Sequence, residues 1–386
     1  MLICRYTDPP LTDKEKEEQE QQRKSGKAVK EPLEGYDITN YVLKYSWSGD
    51  VDQAARKLDF SIAYNTHDRD DTFQALDLKL GGFITLNDMP EETSAETEFF
   101  LGRIFFKKRC TDGFTFEFTA YDDLIYLAKS HVQMVIDGSV SNAITQVCNQ
   151  IGIPVDDKMP DIPTYVSFVA DDKSCTEVFK MLFEKAKADP SVASDYTAIC
   201  IGGNVSVVKK GDTVNSYTAT GRTNVISSEH SESIEDMVNR VIAVDKKGNI
   251  CQVFTVQSDA NKYGMMQQVY KMQPPKEKET VDNVAGAKAK LKQVKNESSL
   301  KGTGNIQCIA GYCITVQEEQ LKGKFFIKSD THDFENGKHT MSLTLEYIPE
   351  TPETPDIEQT DIAEPIFKTS KAGRKRKKRG RKSETS

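Results

Sequence analysis

The sequence predicts a mainly β fold with an α+β insert, in which two antiparallel β regions flank a small α+β domain. Residues 341–347 alternate apolar and polar side chains, a period of two that is typical of a strand with one buried face. Residues 58–62 alternate in the same way near the start of the chain. Between these stretches, residues 144–151 have the apolar spacing of a helix. We therefore expect β structure at both ends of the chain and helices in the middle.

Residues 1–125 are predicted to form the first β region, one antiparallel β domain. Residues 1–6 form a strand in this prediction, and further strands lie at 58–62, 76–83, 99–108 and 114–121. Residues 7–33 are rich in Glu, Lys, Gln and Pro and cannot bury a core. We predict a charged insertion in the first hairpin there, either a mobile loop or a short solvated helix. Trp47 is predicted to be a core aromatic residue.

Residues 126–225 are predicted to form the α+β domain. The helix over 144–151 should end at Gly152 and Pro154. Ser174 and Glu177 have the spacing of a capping box and should open a second helix. A hairpin follows at 196–209, turning at the Gly202-Gly203 pair.

Residues 226–348 are predicted to form the second β region, which ends in a small barrel. A short helix is expected after Ser233, because acidic residues favour a first helical turn. A hairpin at 241–256 and a helix at 281–300 come next. Strands then follow at 312–316, 323–327 and 341–347, and Asn336-Gly337 favours a type I′ turn between the last two.

The chain ends in a proline-rich acidic stretch and a basic tail. Residues 349–386 are predicted to be a disordered linker and tail, with the linker at 349–365 extended. Subtracting the tail's eight positive charges from the formal net charge of −8 leaves −16 for the remainder, which is not typical of a nucleic-acid-binding body. The tail is the one candidate binding site, for a polyanion, and consists of Arg374, Lys375, Arg376, Lys377, Lys378, Arg379, Arg381 and Lys382.

The composition also predicts the cellular compartment in which the protein is made. No run of 18 apolar residues occurs, so no transmembrane helix is predicted. The first residues lack the features of a signal peptide, so Sec export is not expected. Eight cysteines without a Cys-x-x-Cys pair indicate buried, reduced thiols in a protein made in the cytosol.

No arrangement of residues predicts an active site. The acidic pairs Asp122-Asp123 and Asp171-Asp172 are predicted to be solvated turns rather than the paired carboxylates of a glycosidase. The five histidines show no His-Glu-x-x-His, although His332 and His339 flank one turn. Neither a P-loop nor a Gly-x-Ser-x-Gly is present. We expect no enzyme activity, no metal and no cofactor.

Several motifs resemble the baseplate hub family of phage and contractile tails, which includes late control protein D, the hub-like part of type VI secretion spikes and Gram-positive prophage hubs. The residues that carry the resemblance are Asp37-Ile38-Thr39, Trp47-Ser48-Gly49-Asp50, residues 54–60, Gly311-Tyr312, residues 323–327 and residues 332–337.

This resemblance implies a structural protein with two barrels like those of the tail tube. It implies a homotrimer that adapts a hexameric tail tube to a trimeric spike, in a particle assembled in the bacterial cytoplasm. Implied partners are the tail tube protein and the central spike protein, with a LysM-containing baseplate protein and the tape-measure protein as further candidates. The alternative is a tail-associated cell-wall hydrolase. The basic tail could contact an acidic partner such as the tape-measure protein or nucleic acid, or could be a solubilising appendage.

Overall fold

The computed structural model describes residues 2–25, 31–64, 76–90, 95–111, 114–273, 282–319, 321–349 and 356–361. The chain divides into two compact units. Unit 1 contains residues 1–231 and 297–350, and unit 2 contains residues 232–296 and 351–386. The predicted mainly β class is confirmed, whereas the predicted domain boundaries at 125, 225 and 348 remain predictions. No helix in the described part of the chain is long and apolar enough to cross a membrane.

The first β region of unit 1 is a run of antiparallel strands paired in the order β3-β4-β7-β6-β5-β1-β2. Inward-facing apolar residues such as Tyr6, Leu58 and Phe118 form its core. Predicted strands at 1–6, 58–62, 99–108 and 114–121 are confirmed, but residues 76–82 form a turn that precedes a strand at Phe83. The elements are β1 (Leu2–Thr7), α1 (Asp13–Lys24), β2 (Tyr36–Asp37), a 3₁₀ turn (Thr39–Tyr41), β3 (Val42–Asp50), β4 (Lys57–Ala63), β5 (Phe83–Asp88), β6 (Thr97–Cys110) and β7 (Thr115–Tyr121).

The charged insertion contains a solvated helix, the second of the two predicted alternatives. Helix α1 buries none of its residues and begins at a capping box formed by Thr12 and Glu15. Strands β1 and β2 pair on either side of it, so it is an insertion in the first hairpin, as predicted. Its stability therefore depends on its cap and on ion pairs such as Lys24 to Glu20 rather than on packing.

The α+β section follows β7 and has its own apolar core. The capping box of Ser174 and Glu177 is confirmed at the start of the second long helix. Gly152 ends the first long helix in the left-handed conformation, with a φ of 73° that favours glycine. The elements are α2 (Leu124–Lys129), β8 (His131–Ser139), α3 (Val140–Ile151), β9 (Tyr165–Ser174), α4 (Cys175–Ala188), β10 (Tyr196–Ile201) and β11 (Asn204–Lys209).

The rest of the chain returns to β structure in both units. Its elements are β12 (Thr213–Thr220), β13 (Val225–Ser233), β14 (Arg240–Val244), β15 (Ile250–Val256), α5 (Gln257–Tyr263), β16 (Gln267–Lys271), α6 (Asn283–Lys288), β17 (Lys295–Thr303), β18 (Cys313–Gln317), β19 (Lys322–Glu335), β20 (Lys338–Ile348) and β21 (Ile357–Asp361).

Strand β19 joins the last β region of unit 1 to the first. Its early residues pair with β18, and residues 329–334 pair with β3. Strand β20 pairs with β19 along nearly its whole length, after a tight turn in which Asn336 and Gly337 both have positive φ, as a type I′ turn requires. The two β regions therefore share one sheet of thirteen strands.

The helix predicted over 281–300 is wrong for most of its length. Helix α6 ends at Lys288, and β17 occupies Lys295–Thr303. In β17, Ser298, Leu300 and Gly302 are buried in alternation, and the strand pairs with β20. Pairing along β20 therefore makes this segment a strand, although the Ala- and Lys-rich residues that precede it favour a helix.

The short helix predicted after Ser233 is also wrong. Residues 234–237 form a single turn, and β14 begins at Arg240. Between them, the buried Asn239 side chain donates to the carbonyl of Gly264 and accepts from the N–H of Met266. These bonds hold the segment as a loop.

Unit 2 is a four-stranded sheet in the order β16-β14-β15-β21, and its small core includes Val241 and Phe254. The predicted hairpin at 241–256 is confirmed as β14 and β15. Residues 357–361, predicted as part of a disordered linker, instead form β21 and pair with β15. Ile357 explains the difference, because it packs against the core of unit 2.

Candidate functional site

A buried ion pair lies where the two β regions of unit 1 meet. Arg56, in the residue before β4, binds the carboxylate of Asp330 on β19 through both terminal nitrogens, with Nη1 2.9 Å from Oδ1. The N–H of Ala310 donates to the same Oδ1 at 2.6 Å. Both charged side chains are buried, and 274 residues separate them in the chain. We call Arg56, Asp330 and the residues that contact them the Arg56 cluster.

Trp47 and Gly49, two residues of the motif at 47–50, pack against Arg56. The guanidinium carbon lies 3.9 Å from the centroid of the Trp47 ring, a cation–π contact. A Cβ at Gly49 would lie 2.2 Å from Arg56 Nη1. Trp47 and Gly49 therefore both contact the Arg56 side chain. Trp47 is a buried core aromatic residue, as the sequence predicts.

Replacing Gly49 with alanine should lower the free energy of unfolding by about 1–3 kcal/mol, because the guanidinium is fixed by Asp330 and cannot move away from the new methyl group. Urea denaturation followed by circular dichroism measures the change. Ser48→Ala, on the same strand, is the matched control and should stay within about 0.5 kcal/mol of the parent. Equal stability of the parent and the Gly49 variant would contradict this packing.

Asp122 is a second acid in the Arg56 cluster. Its carboxylate accepts from the backbone N–H groups of Arg56 and Leu124, each at 3.2 Å. Burial raises the pKa of Asp122 to about 7. The prediction that the Asp122-Asp123 pair is solvated is therefore wrong for Asp122, because the start of α2 folds over it. Asp171 and Asp172 are exposed, as predicted.

His332 and His339 form a hydrogen-bonded pair next to the ion pair. His332 Nδ1 lies 3.0 Å from His339 Nε2, and His332 Nε2 lies 3.1 Å from the carbonyl oxygen of Cys308. A carbonyl can only accept, so His332 carries its proton on Nε2 and its Nδ1 accepts from His339. Burial lowers the pKa of His332 to about 4 and that of His339 to about 3.

A groove of about 1,010 Å³ opens beside the histidine pair, within unit 1. Its lining is partly apolar and includes Leu43, Tyr45 and Phe99, and His339 forms part of its wall. Residues 304–307 and the turn at 335–338 also line it. In the described residues, no group of three His, Cys, Asp or Glu side chains is arranged to hold a metal.

The predicted polyanion-binding tail, Arg374 to Lys382, lies outside the described residues and stays a prediction. Deleting residues 373–386 is expected to abolish binding to heparin at low salt, because phosphate-like contacts depend on those cations. Heparin chromatography of the full chain and the truncated chain tests this. The oligomeric state should not change, and equal retention of both proteins would contradict the polyanion hypothesis.

Sequence reasoning did not identify the Arg56 cluster, although a signal was present. Asp330 and His332 alternate with less buried neighbours in β19, so they place polar side chains at core positions, although a register shift after Ile327 separates them from the apolar inward positions of the strand. A buried carboxylate must be paired, which predicts a partner cation in the same core. Which cation it would be could not be predicted, because Arg56 is far away in the sequence.

A model of the family described as YqbQ-like matches residues 45–346. The phage-like element PBSX protein XkdQ of Bacillus subtilis strain 168 is 24% identical over 257 residues, which are 64% of this chain and 78% of XkdQ. The protein YqbQ of the same strain is 26% identical over 245 residues, which are 59% of this chain and 72% of YqbQ.

Two solved structures share the fold. The 43 kDa tail protein of prophage MuSo2 from Shewanella oneidensis has a TM-score of 0.57 and 13% identity, covering 79% of this chain and 93% of that protein. The tail protein from Neisseria meningitidis MC58 has a TM-score of 0.51 and 11% identity, covering 81% of this chain and 93% of that protein. The predicted resemblance is thereby confirmed at the level of phage tail proteins.

Proposed function

This chain belongs to the YqbQ-like family, and from that premise we propose that it is the structural baseplate hub of a phage tail or of a phage-tail-like injection particle. The relatives support a tail component, since XkdQ belongs to a phage-like element and the proteins of similar fold are tail proteins. The hub is the finer assignment, and it depends on the arrangement of the β regions.

The observation that carries the proposal is the shared strand β19. It pairs with β18 in one β region and with β3 in the other. A bidentate ion pair and a stacked tryptophan reinforce the same place. Two β regions held in one sheet suit the proposed ring, because each copy then contributes two β segments. Three copies would present six segments, as an adaptor between a hexameric tube and a trimeric spike requires.

In this proposal the partners are two further copies of the chain, the tail tube protein and the central spike protein. The tape-measure protein and a LysM-containing baseplate protein are further candidates. The protein would be located in the baseplate of the particle, after assembly in the bacterial cytoplasm.

Light scattering of the purified full chain tests the proposal, alone and mixed with the spike protein of the same particle. We expect three copies of the chain in each particle, either for the chain alone or in its complex with the spike protein, whose own mass is subtracted. A stable monomer at micromolar concentration in both samples would contradict the hub.

A cell-wall hydrolase is the competing function, and the geometry gives it little support. Asp122 has the raised pKa of a general acid, but both of its oxygens accept backbone N–H groups. A zymogram on bacterial cell walls separates the two functions, because a structural hub leaves the walls intact and a hydrolase clears them.

A further inference from the structure

We propose that His332 and His339 form an acid-sensitive latch that holds residues 304–308 in place beside the groove. The inference is independent of the proposed hub role, because it concerns only contacts within unit 1. It begins from two contacts of that segment. The N–H of Gly304 donates to the carbonyl oxygen of His339 at 2.9 Å. The carbonyl of Cys308, at the other end, accepts from His332.

The histidine pair packs directly against the start of this segment. A Cβ at Gly304 would lie 2.1 Å from the His339 ring, so the backbone passes directly against that ring. The His339 ring also stacks on Phe334, with centroids 4.0 Å apart. Movement of His339 therefore requires movement of residue 304, which lines the groove.

The hydrogen bonds fix which protons the closed state can hold. His332 Nε2 faces the Cys308 carbonyl and also lies 3.4 Å from Asp330 Oδ2, and both groups are acceptors. Its Nδ1 is therefore the acceptor of the single bond between the rings. A proton added to His332 must go to Nδ1, where it opposes the N–H of His339. Either the bond breaks or one ring leaves its place.

The charges around each imidazole affect whether it can take up a second proton and become a cation. Asp330 and Asp333 on β19 favour a cationic His332, whereas Arg56 from the segment before β4 opposes it. Asp330 is already occupied by the Arg56 guanidinium and by Ala310. His339 on β20 faces the other imidazole, which also opposes a charge. Burial is the largest cause in both cases and lowers the pKa of each ring.

A falling pH favours the released state of the two imidazoles. The released rings titrate at their ordinary pKa of 6.5, while the closed rings stay neutral down to about 4 for His332 and about 3 for His339. As the pH falls below 6.5, protons bind the released state first, and the closed state loses stability until the pH reaches the lower values. Asp122 acts in the opposite direction on global stability, since its pKa is raised. The test must therefore measure local opening.

Hydrogen exchange followed by mass spectrometry on the full chain measures that opening in peptides covering residues 304–312. After correction for intrinsic exchange rates, we expect the opening equilibrium to rise between about pH 6.5 and pH 5 by up to about 15-fold for each imidazole that becomes protonated. His339→Gln keeps an N–H donor for His332 but cannot take a proton, so its pH dependence should be weaker by about that factor. His131→Gln, which removes an exposed histidine paired with Asp172, should behave like the parent.

A second measurement needs no variant. Nitrogen NMR of the imidazoles should show two rings that stay neutral at about pH 5, with His332 protonated on Nε2. Opening that does not change with pH would overturn the latch, as would a glutamine variant as pH-dependent as the parent. Rings that titrate near their ordinary pKa in the folded chain would overturn it as well.

Discussion

Replacing Arg56 with methionine is expected to lower the free energy of unfolding by about 3–5 kcal/mol. The substitution leaves the Asp330 carboxylate buried without its cation, and an uncompensated buried charge is costly. Denaturant unfolding measures the loss, and Trp47 is a built-in probe because it is the only tryptophan of the chain and contacts the guanidinium.

The adjacent residue provides the control for this prediction. Lys57→Met removes an ion pair to Asp59 in which both side chains are about 40% exposed, and should change stability by less than about 1 kcal/mol. Arg56→Met combined with Asp330→Leu should recover much of the loss, because an apolar pair no longer buries a lone charge. If Arg56→Met is as mild as Lys57→Met, the ion pair does not hold the two β regions together.

Trp47→Ala should also cost about 3–5 kcal/mol, the range for removing a large aromatic side chain from a packed core. Trp47 is 2% exposed and has edge-to-face contacts with Phe99 and Phe100, at centroid distances of 4.9 Å and 6.5 Å. The cation–π contact with Arg56 would be lost as well. Circular dichroism is the readout, since the variant has no tryptophan.

Trp47→Phe distinguishes packing from hydrogen bonding. The indole N–H has no hydrogen-bond partner in the described part of the chain, so phenylalanine loses volume but no bond. Its cost should be clearly smaller than that of alanine. Phe106→Ala, at a half-exposed position, should change stability by no more than about 0.5 kcal/mol. A Trp47→Ala variant as stable as the Phe106 variant would show that the tryptophan does not anchor the core.

Local sequence patterns predicted the strands and helices whose formation depends on residues close together in the sequence. Alternation predicted β20 and β4, because one face of each strand is buried and the other is solvated. The capping box predicted the start of α4, since its bonds lie within four residues. The prediction of a helix over 281–300 was wrong because the residues of β17 pair with residues 37 to 47 positions further along the chain.

The candidate site was harder to predict, because its contacts connect distant parts of the chain. The motif containing Trp47 and Gly49 indicated the family, but its physical role depends on Arg56 and on Asp330, a residue that no local rule connects with it. The histidine pair was noticed only as two residues flanking a turn. Its burial and its bond to Cys308 come from the tertiary fold.

The pairing of β3 with β19 has a consequence for synthesis. The ribosome must add about 280 residues between the two strands, which at typical rates takes roughly 15–60 s. During that time one side of β3 has no strand to pair with, and an unpaired strand edge invites association with other chains. The long sequence separation also makes closure of the sheet slow once the chain is released. The nascent first β region is therefore the part of this protein for which a chaperone would matter most.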